Sequence, residues 1–201
     1  MIIITKPTPI QNEISLIHSL FAEGLELLHV RKPDYSEDEM KRFLSAIGLE
    51  FRARLVLHQH HQLAQAFGIN RIHFTEKDRE SYNNSFRISN PERVKSAILS
   101  TSVHSIEDFN ALADVFQYAF LSPVFTSISK ADYAPTIDYR TALEKRTNHK
   151  TKLIALGGIQ SGNISQALES GFDGVALLGT IWNGNNPIEN FKLCQQIAPT
   201  Y

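Results

Sequence analysis

Short apolar runs rich in Ile, Leu and Val alternate along the chain with longer stretches whose apolar residues recur every three or four positions. Eight runs stand at 1–5, 25–30, 55–58, 71–75, 98–102, 118–121, 152–156 and 174–178, with the length and composition of strands apolar on both faces. The stretches 11–22, 37–47, 106–113 and 188–197 carry the helical period between them. Strand and helix alternating in this way predict one (β/α)8 TIM barrel of eight parallel strands, a single domain over 1–201. The alternative is an open doubly wound sheet. No G-x-G-x-x-G follows the first strand, however, and Thr5-Lys6-Pro7-Thr8-Pro9 stands there instead. Eight units in 201 residues leave roughly 25 residues each, so trimmed loops and a shortened third helix, confined to 60–67, are expected.

The chain carries 20 Lys plus Arg against 21 Asp plus Glu, a formal net charge of −1. That balance excludes the broad basic footprint of a nucleic-acid or anionic-membrane binder and leaves local phosphate sites open. The single cysteine, Cys194, rules out a disulfide framework and a four-thiolate metal site. Its place in a helical pattern with Phe191 and Ile197 reads as core, and Trp182 is likewise expected to pack inside. No apolar segment approaches the ~18 residues of a membrane span, and the opening MIIITKPTPI has no basic leader. A cytoplasmic protein is the expectation.

In a barrel the strand ends share one rim, where the βα loops carry the chemistry. Strands seven and eight end in Gly157-Gly158 and Leu178-Gly179, placing glycine-flanked amides where such barrels often hold a phosphate. The loop after strand six has three hydroxyls and a lysine within five positions, Thr126, Ser127, Ser129 and Lys130, a set able to wrap a phosphate or diphosphate. His29 and Arg31, two apart, point to the same side, and Arg31 can grip a diphosphate with both arms of its fork. Asp78, with Glu76 and Lys77, follows strand four and offers a carboxylate to a hard cation. Ser105 and Asp108 read as a helix cap that leaves Ser102 for a ligand. The tract His58-Gln59-His60-His61 is not expected to close on one ion, because consecutive residues at a helix start rarely converge.

These residues in this order resemble the thiamine-phosphate synthase and TenI-like thiazole tautomerase superfamily. The likeness rests on the block from Leu63-Ala64 through Gly68 to Ile72-His73 and Asp78, on Ser102-Val103-His104-Ser105, on Ser122-Pro123-Val124-Phe125 with Ser127, Ser129 and Lys130, on Gly157-Gly158-Ile159, and on Gly171-Phe172-Asp173-Gly174-Val175-Ala176. It implies a transferase of thiamine biosynthesis that joins a hydroxymethylpyrimidine diphosphate to a thiazole phosphate, giving thiamine phosphate and diphosphate with Mg2+ assisting. By the same resemblance Arg31, Ser102 and Lys130 face the diphosphate, Asp78 is the magnesium ligand, and Ser127, Ser129 and the amides around Gly158, Leu178 and Gly179 hold the thiazole phosphate. Partners are then phosphorylated small molecules, with a homo-oligomer left open.

The departures from the family pattern bear on activity. The motif Gln-x-Arg-x-Lys becomes His29-Val30-Arg31-Lys32-Pro33, and the Asn-Asp pair after strand three becomes His58-Gln59. One cation and one metal carboxylate are missing, and charge-assisted contacts contribute about 1.5–3 kcal/mol each, so the Mg2+ site is expected to be weakened unless Lys32 or Glu76 compensates. Two other readings follow. One is a metal-free thiazole tautomerase with His29 or His104 as acid and base, although Pro123 stands where the resemblance implies a histidine. The other is a non-catalytic barrel that binds thiazole or thiamine phosphate.

Overall fold

The first run, Ile2-Ile3-Ile4, shows how each strand is used. Its alternate side chains enter different layers: Ile3 packs among the helices, whereas Ile2 and Ile4 cluster with Tyr118, Phe120, Ile154 and Ala176. Buried on both faces, such strands need helices outside and a filled lumen inside. The computed structural model describes residues 1–81, 97–126 and 138–198. The strands are β1 (Ile2–Ile4), β2 (Leu27–Val30), β3 (Leu55–Leu57), β4 (Arg71–Phe74), β5 (Ile98–Val103), β6 (Phe116–Leu121), β7 (Lys152–Ala155) and β8 (Gly174–Leu177). They pair in parallel in sequence order, and β8 returns to β1, closing the barrel. The expected (β/α)8 architecture is therefore what the chain adopts.

The helices are α1 (Glu13–Ala22), α2 (Glu37–Ile47), α3 (Leu63–Ala66), α4 (Glu76–Ser81), α5 (Ile106–Asn110), α6 (Tyr139–Glu144), α7 (Ile164–Glu169), α8 (Gly179–Trp182) and α9 (Pro187–Ile197), of which α1, α2, α5 and α9 lie where the periodicity puts them. The third is indeed short. Helix α2 starts in a capping box, in which the Ser36 side chain accepts from the Glu39 amide and Glu39 accepts from the Ser36 amide. Ser105 caps α5 by accepting from the Asp108 amide at 3.0 Å, as its spacing suggests. That helix ends at Asn110 rather than 113, where the Leu112 amide bonds to Phe109 in a tighter i→i−3 turn. Cys194 is core, and burial raises its thiol to about 11. Trp182 is buried too, its indole N–H donating to the Ile4 carbonyl at 2.7 Å.

Lys32 sits fully buried below the loops that follow β1 and β2. Its ammonium lies 2.7 Å from both carboxylate oxygens of Glu13 and donates to the Lys6 carbonyl at 2.8 Å. Tyr35 and Phe43 present ring faces to it at 5.6 and 5.2 Å. Burial raises the Glu13 carboxyl and lowers the Lys32 ammonium, each opposed by the other's charge. Removing one member strands the other charge in the interior. Lys32→Met should therefore lose about 3–5 kcal/mol, and the double variant Glu13→Leu/Lys32→Met should regain most of it. Urea unfolding of the three proteins measures this, and a Lys32→Met variant as stable as the parent would refute the coupling.

Candidate functional site

Strand parity decides which side chains enter the barrel lumen, and those that do form an apolar and a polar group in contact through Phe120. In the first stand the apolar Ile2, Ile4, Phe120, Ile154 and Ala176. To the second, β2 to β5 contribute His29, His58, His73, Ser100 and Ser102, joined across the lumen by Tyr118 of β6. Polar groups cut off from water must be bonded to one another, and here they are. His29 Nδ1 is 2.8 Å from His58 Nε2, and His29 Nε2 is 2.7 Å from the Tyr118 hydroxyl. Tyr118 bonds in turn to Ser100. The two ring nitrogens of His73 lie 2.9 Å from Ser100 Oγ and 2.9 Å from Ser102 Oγ. A single chain of contacts thus links His58, His29, Tyr118, Ser100, His73 and Ser102.

Burial holds the imidazoles of His29 and His58 well below their usual range, with repulsion from His73 adding to it. His73 falls to about 3 through burial, then through the charges of His61 and Arg31. Burial pushes the Tyr118 phenol up, against its bond to Ser100. All four are therefore neutral near pH 7. A neutral imidazole has one donor and one acceptor nitrogen, so His29 either donates to His58 while accepting from Tyr118, or does the reverse.

Above the lumen lies the rim. Arg31 hydrogen-bonds through its backbone to Thr5, while its guanidinium has no hydrogen-bond or ion-pair partner among the described residues. Its charge reaches His58 and His73. Asp78 is exposed at the start of α4, with one carboxylate oxygen accepting from the Thr75 hydroxyl at 2.6 Å. Glu76 lies 3.7 Å from Arg79, which donates to the Ser102 carbonyl at 2.9 Å. His104 is exposed, and its Nδ1 lies 2.8 Å from the Ser122 carbonyl. A carbonyl only accepts, so Nδ1 carries the proton and Nε2 keeps a free lone pair.

The glycine loops are built for close approach. Gly158 has φ +65°, and a Cβ there would stand 2.5 Å from the Phe125 carbonyl oxygen, so the strand-seven loop packs directly against the strand-six loop. Phe125 N–H donates to the Gly157 carbonyl at 3.0 Å, and the Thr180 hydroxyl donates to the Ile159 carbonyl, tying the last three loops together. Gly158, Leu178 and Gly179 are thereby brought to one side of the rim. Ser127, Ser129 and Lys130 lie outside the described residues.

The description "Thiamine monophosphate synthase" belongs to a family model that matches residues 1–181 of this chain. The chain is a member of that family. A thiamine-phosphate synthase of Streptococcus suis is 23% identical over 145 residues, covering 71% of this chain and 61% of the relative. The chain thus spans less than two thirds of that relative's length. One of Clostridium tetani is 25% identical over 179 residues, covering 87% of this chain and 81% of that protein. The crystal structure of thiamine phosphate pyrophosphorylase from Bacteroides thetaiotaomicron superposes with a TM-score of 0.74 at 29% identity, covering 98% of this chain and 96% of the other.

Two positions at which the chain departs from the family pattern, His29 and His58, meet in the lumen. The tract 58–61 does not converge, as expected: His60 Nε2 lies 2.7 Å from the Tyr35 carbonyl and His61 Nε2 lies 3.1 Å from the His73 carbonyl. His58 alone turns inward, to histidines of other strands. Tyr118 and Ser100 escape sequence reasoning, since nothing local marks them. Strand parity is the signal that could have found them. Lys32, a candidate to replace the missing cation, is sequestered by Glu13 and does not reach the rim.

The buried imidazoles make acid the weak side of this fold. Their folded pKa values lie below the unfolded value of about 6.5, so the unfolded chain binds more protons as the pH falls. The native state then loses stability from about pH 6.5 downward, by up to about 1.4 kcal/mol per pH unit for each histidine, until the folded imidazole itself titrates. Thermal unfolding of the metal-free protein between pH 8 and pH 4.5 should show Tm falling mainly below about 6.5. A Tm flat across that interval would contradict neutral burial.

Proposed function

We propose that the chain is a transferase that joins hydroxymethylpyrimidine diphosphate to thiazole phosphate, releasing diphosphate and forming thiamine phosphate. The observation that carries this reading is Arg31, just past β2, whose guanidinium has no partner among the described residues and whose charge reaches His58 and His73, in a barrel whose family is that of thiamine monophosphate synthase. Expelling diphosphate requires cationic groups on the leaving oxygens more than it requires a strong base. In this reading Arg31 and Lys130 neutralise charge as the C–O bond to diphosphate breaks, and Ser102 orients an oxygen. The thiazole nitrogen then attacks the electron-poor pyrimidine carbon. The amides at Gly158, Leu178 and Gly179, with the hydroxyls of Ser127 and Ser129, anchor the thiazole phosphate. His29, enclosed in the lumen, acts as a positioning residue beneath His58.

Mg2+ keeps several waters and binds through one or two carboxylates together with substrate phosphates. Asp78 fits that modest demand, because one carboxylate oxygen is engaged by Thr75 and the other has no partner among the described residues. When bound there, the ion would supply charge neutralisation on the diphosphate. A second reading, thiazole tautomerase, is favoured by His104, whose exposed Nε2 is held ready as a base by the Ser122 carbonyl.

Incubation with both substrates and Mg2+ should yield thiamine phosphate, and Arg31→Ala should lower kcat/KM by about 100-fold. Absence of product at every Mg2+ concentration would overturn the transferase reading. Conversion of the thiazole tautomer without metal, abolished in His104→Ala, would then establish the second. Tight thiazole phosphate binding without turnover by either route would leave a binding protein.

A further inference from the structure

We infer that the lumen histidines His29, His58 and His73 form a binding site for a transition-metal dication of the Zn2+ kind. One ring nitrogen from each lies within 4.8 Å of those of the other two. His29 and His73 stand on β2 and β4, and His58 directly follows β3 with its amide donating to the Val30 carbonyl at 3.2 Å, so the barrel ladder holds all three backbones. His58 and His73 stack at a centroid distance of 4.2 Å, and His29 stands edge-on to both, at 5.0 and 5.3 Å. The three rings are thus in mutual contact, with one nitrogen of each close to those of the other two.

The chemistry of the donors selects the ion. Three neutral imidazoles with no carboxylate among them suit Zn2+, Co2+, Ni2+ or Cu2+, whereas Mg2+ requires oxygen ligands. The surrounding contacts are those that ligating histidines use. A ligating imidazole donates its second N–H to an outer acceptor, which fixes its tautomer and orientation. His29 has the Tyr118 hydroxyl at 2.7 Å on its far nitrogen, and His73 has a serine hydroxyl at 2.9 Å on whichever nitrogen does not bind. Nitrogen–metal bonds of about 2.0–2.1 Å in a tetrahedral site separate ligand nitrogens by roughly 3.3 Å. His29 Nδ1 and His58 Nε2, now 2.8 Å apart, would open by about half an ångström. The proton they share moves to the far nitrogen of its own ring, so no proton need be released. Three protein ligands leave a fourth position for an exogenous ligand. His58 at 5% exposed, against 0% for His29 and 1% for His73, is the side from which an ion enters. The site goes beyond the transferase reading and does not depend on it.

The test uses the full chain, stripped with a chelator and titrated with Co2+ and Zn2+, with Mg2+ as control. One equivalent of Co2+ should bind and give visible ligand-field absorption of a nitrogen-ligated ion, displaced by Zn2+ and untouched by Mg2+. Loss of an outer partner alone costs 10–100-fold in affinity. Loss of a ligand in His29→Gln or His58→Asn should therefore cost more than about 100-fold, while the surface variant His149→Ala binds as the parent does. X-ray absorption of the loaded parent protein should show three imidazoles, which keeps the test valid if the lumen variants fail to fold. No stoichiometric uptake, uptake unchanged in both lumen variants, or a first shell without three imidazoles would each overturn the site.

Discussion

A closed barrel of short strands encloses a lumen that bulk water does not enter, so every polar group directed inward must find its partner there. This constraint governs the molecule. Its lumen carries three imidazoles, a phenol and two serine hydroxyls, and they meet the requirement by bonding to one another in a continuous chain. Each member is needed by the next, and the set is neutral because charging any imidazole would cost its desolvation. The apolar group comprises Ile2, Ile4, Phe120, Ile154 and Ala176, which require no such arrangement.

Inside the fold, charge stands as one buried pair. Glu13 and Lys32 neutralise each other beneath the first two loops, which removes from the rim a cation that the sequence places next to Arg31. Among the described residues the mouth carries Arg31, the Asp78 carboxylate, the exposed His104, and the loops with Gly158, Leu178 and Gly179. Those loops are tied through Phe125, Gly157, Ile159 and Thr180, so their backbone donors are held in place before any ligand arrives. The lumen and the rim meet at Ser102, whose hydroxyl touches His73 and whose carbonyl receives Arg79. The rim therefore rests directly on the ordered chain below.

The sequence by itself determined the architecture. Strand and helix periods are local properties of a few consecutive residues, so the eight runs, the capped start at Ser105, the shortened third helix and the core placement of Cys194 and Trp182 could be read in order along the chain. The family pattern at Gly157-Gly158 and at Ser102 to Ser105 was legible for the same reason. Only the tertiary structure decided what the exceptions to that pattern mean. His29, His58 and His73 lie 29 and 15 positions apart, and as isolated residues two of them read as the loss of a glutamine and an asparagine. Their meeting depends on the register in which β2, β3 and β4 pair and on closure of the barrel, neither of which leaves a local periodicity. In the same way, the engagement of Lys32 by Glu13 is a contact between two elements 19 residues apart. Hydrophobic pattern specifies which face of a strand is buried; which side chains then find one another inside is fixed by the geometry of closure.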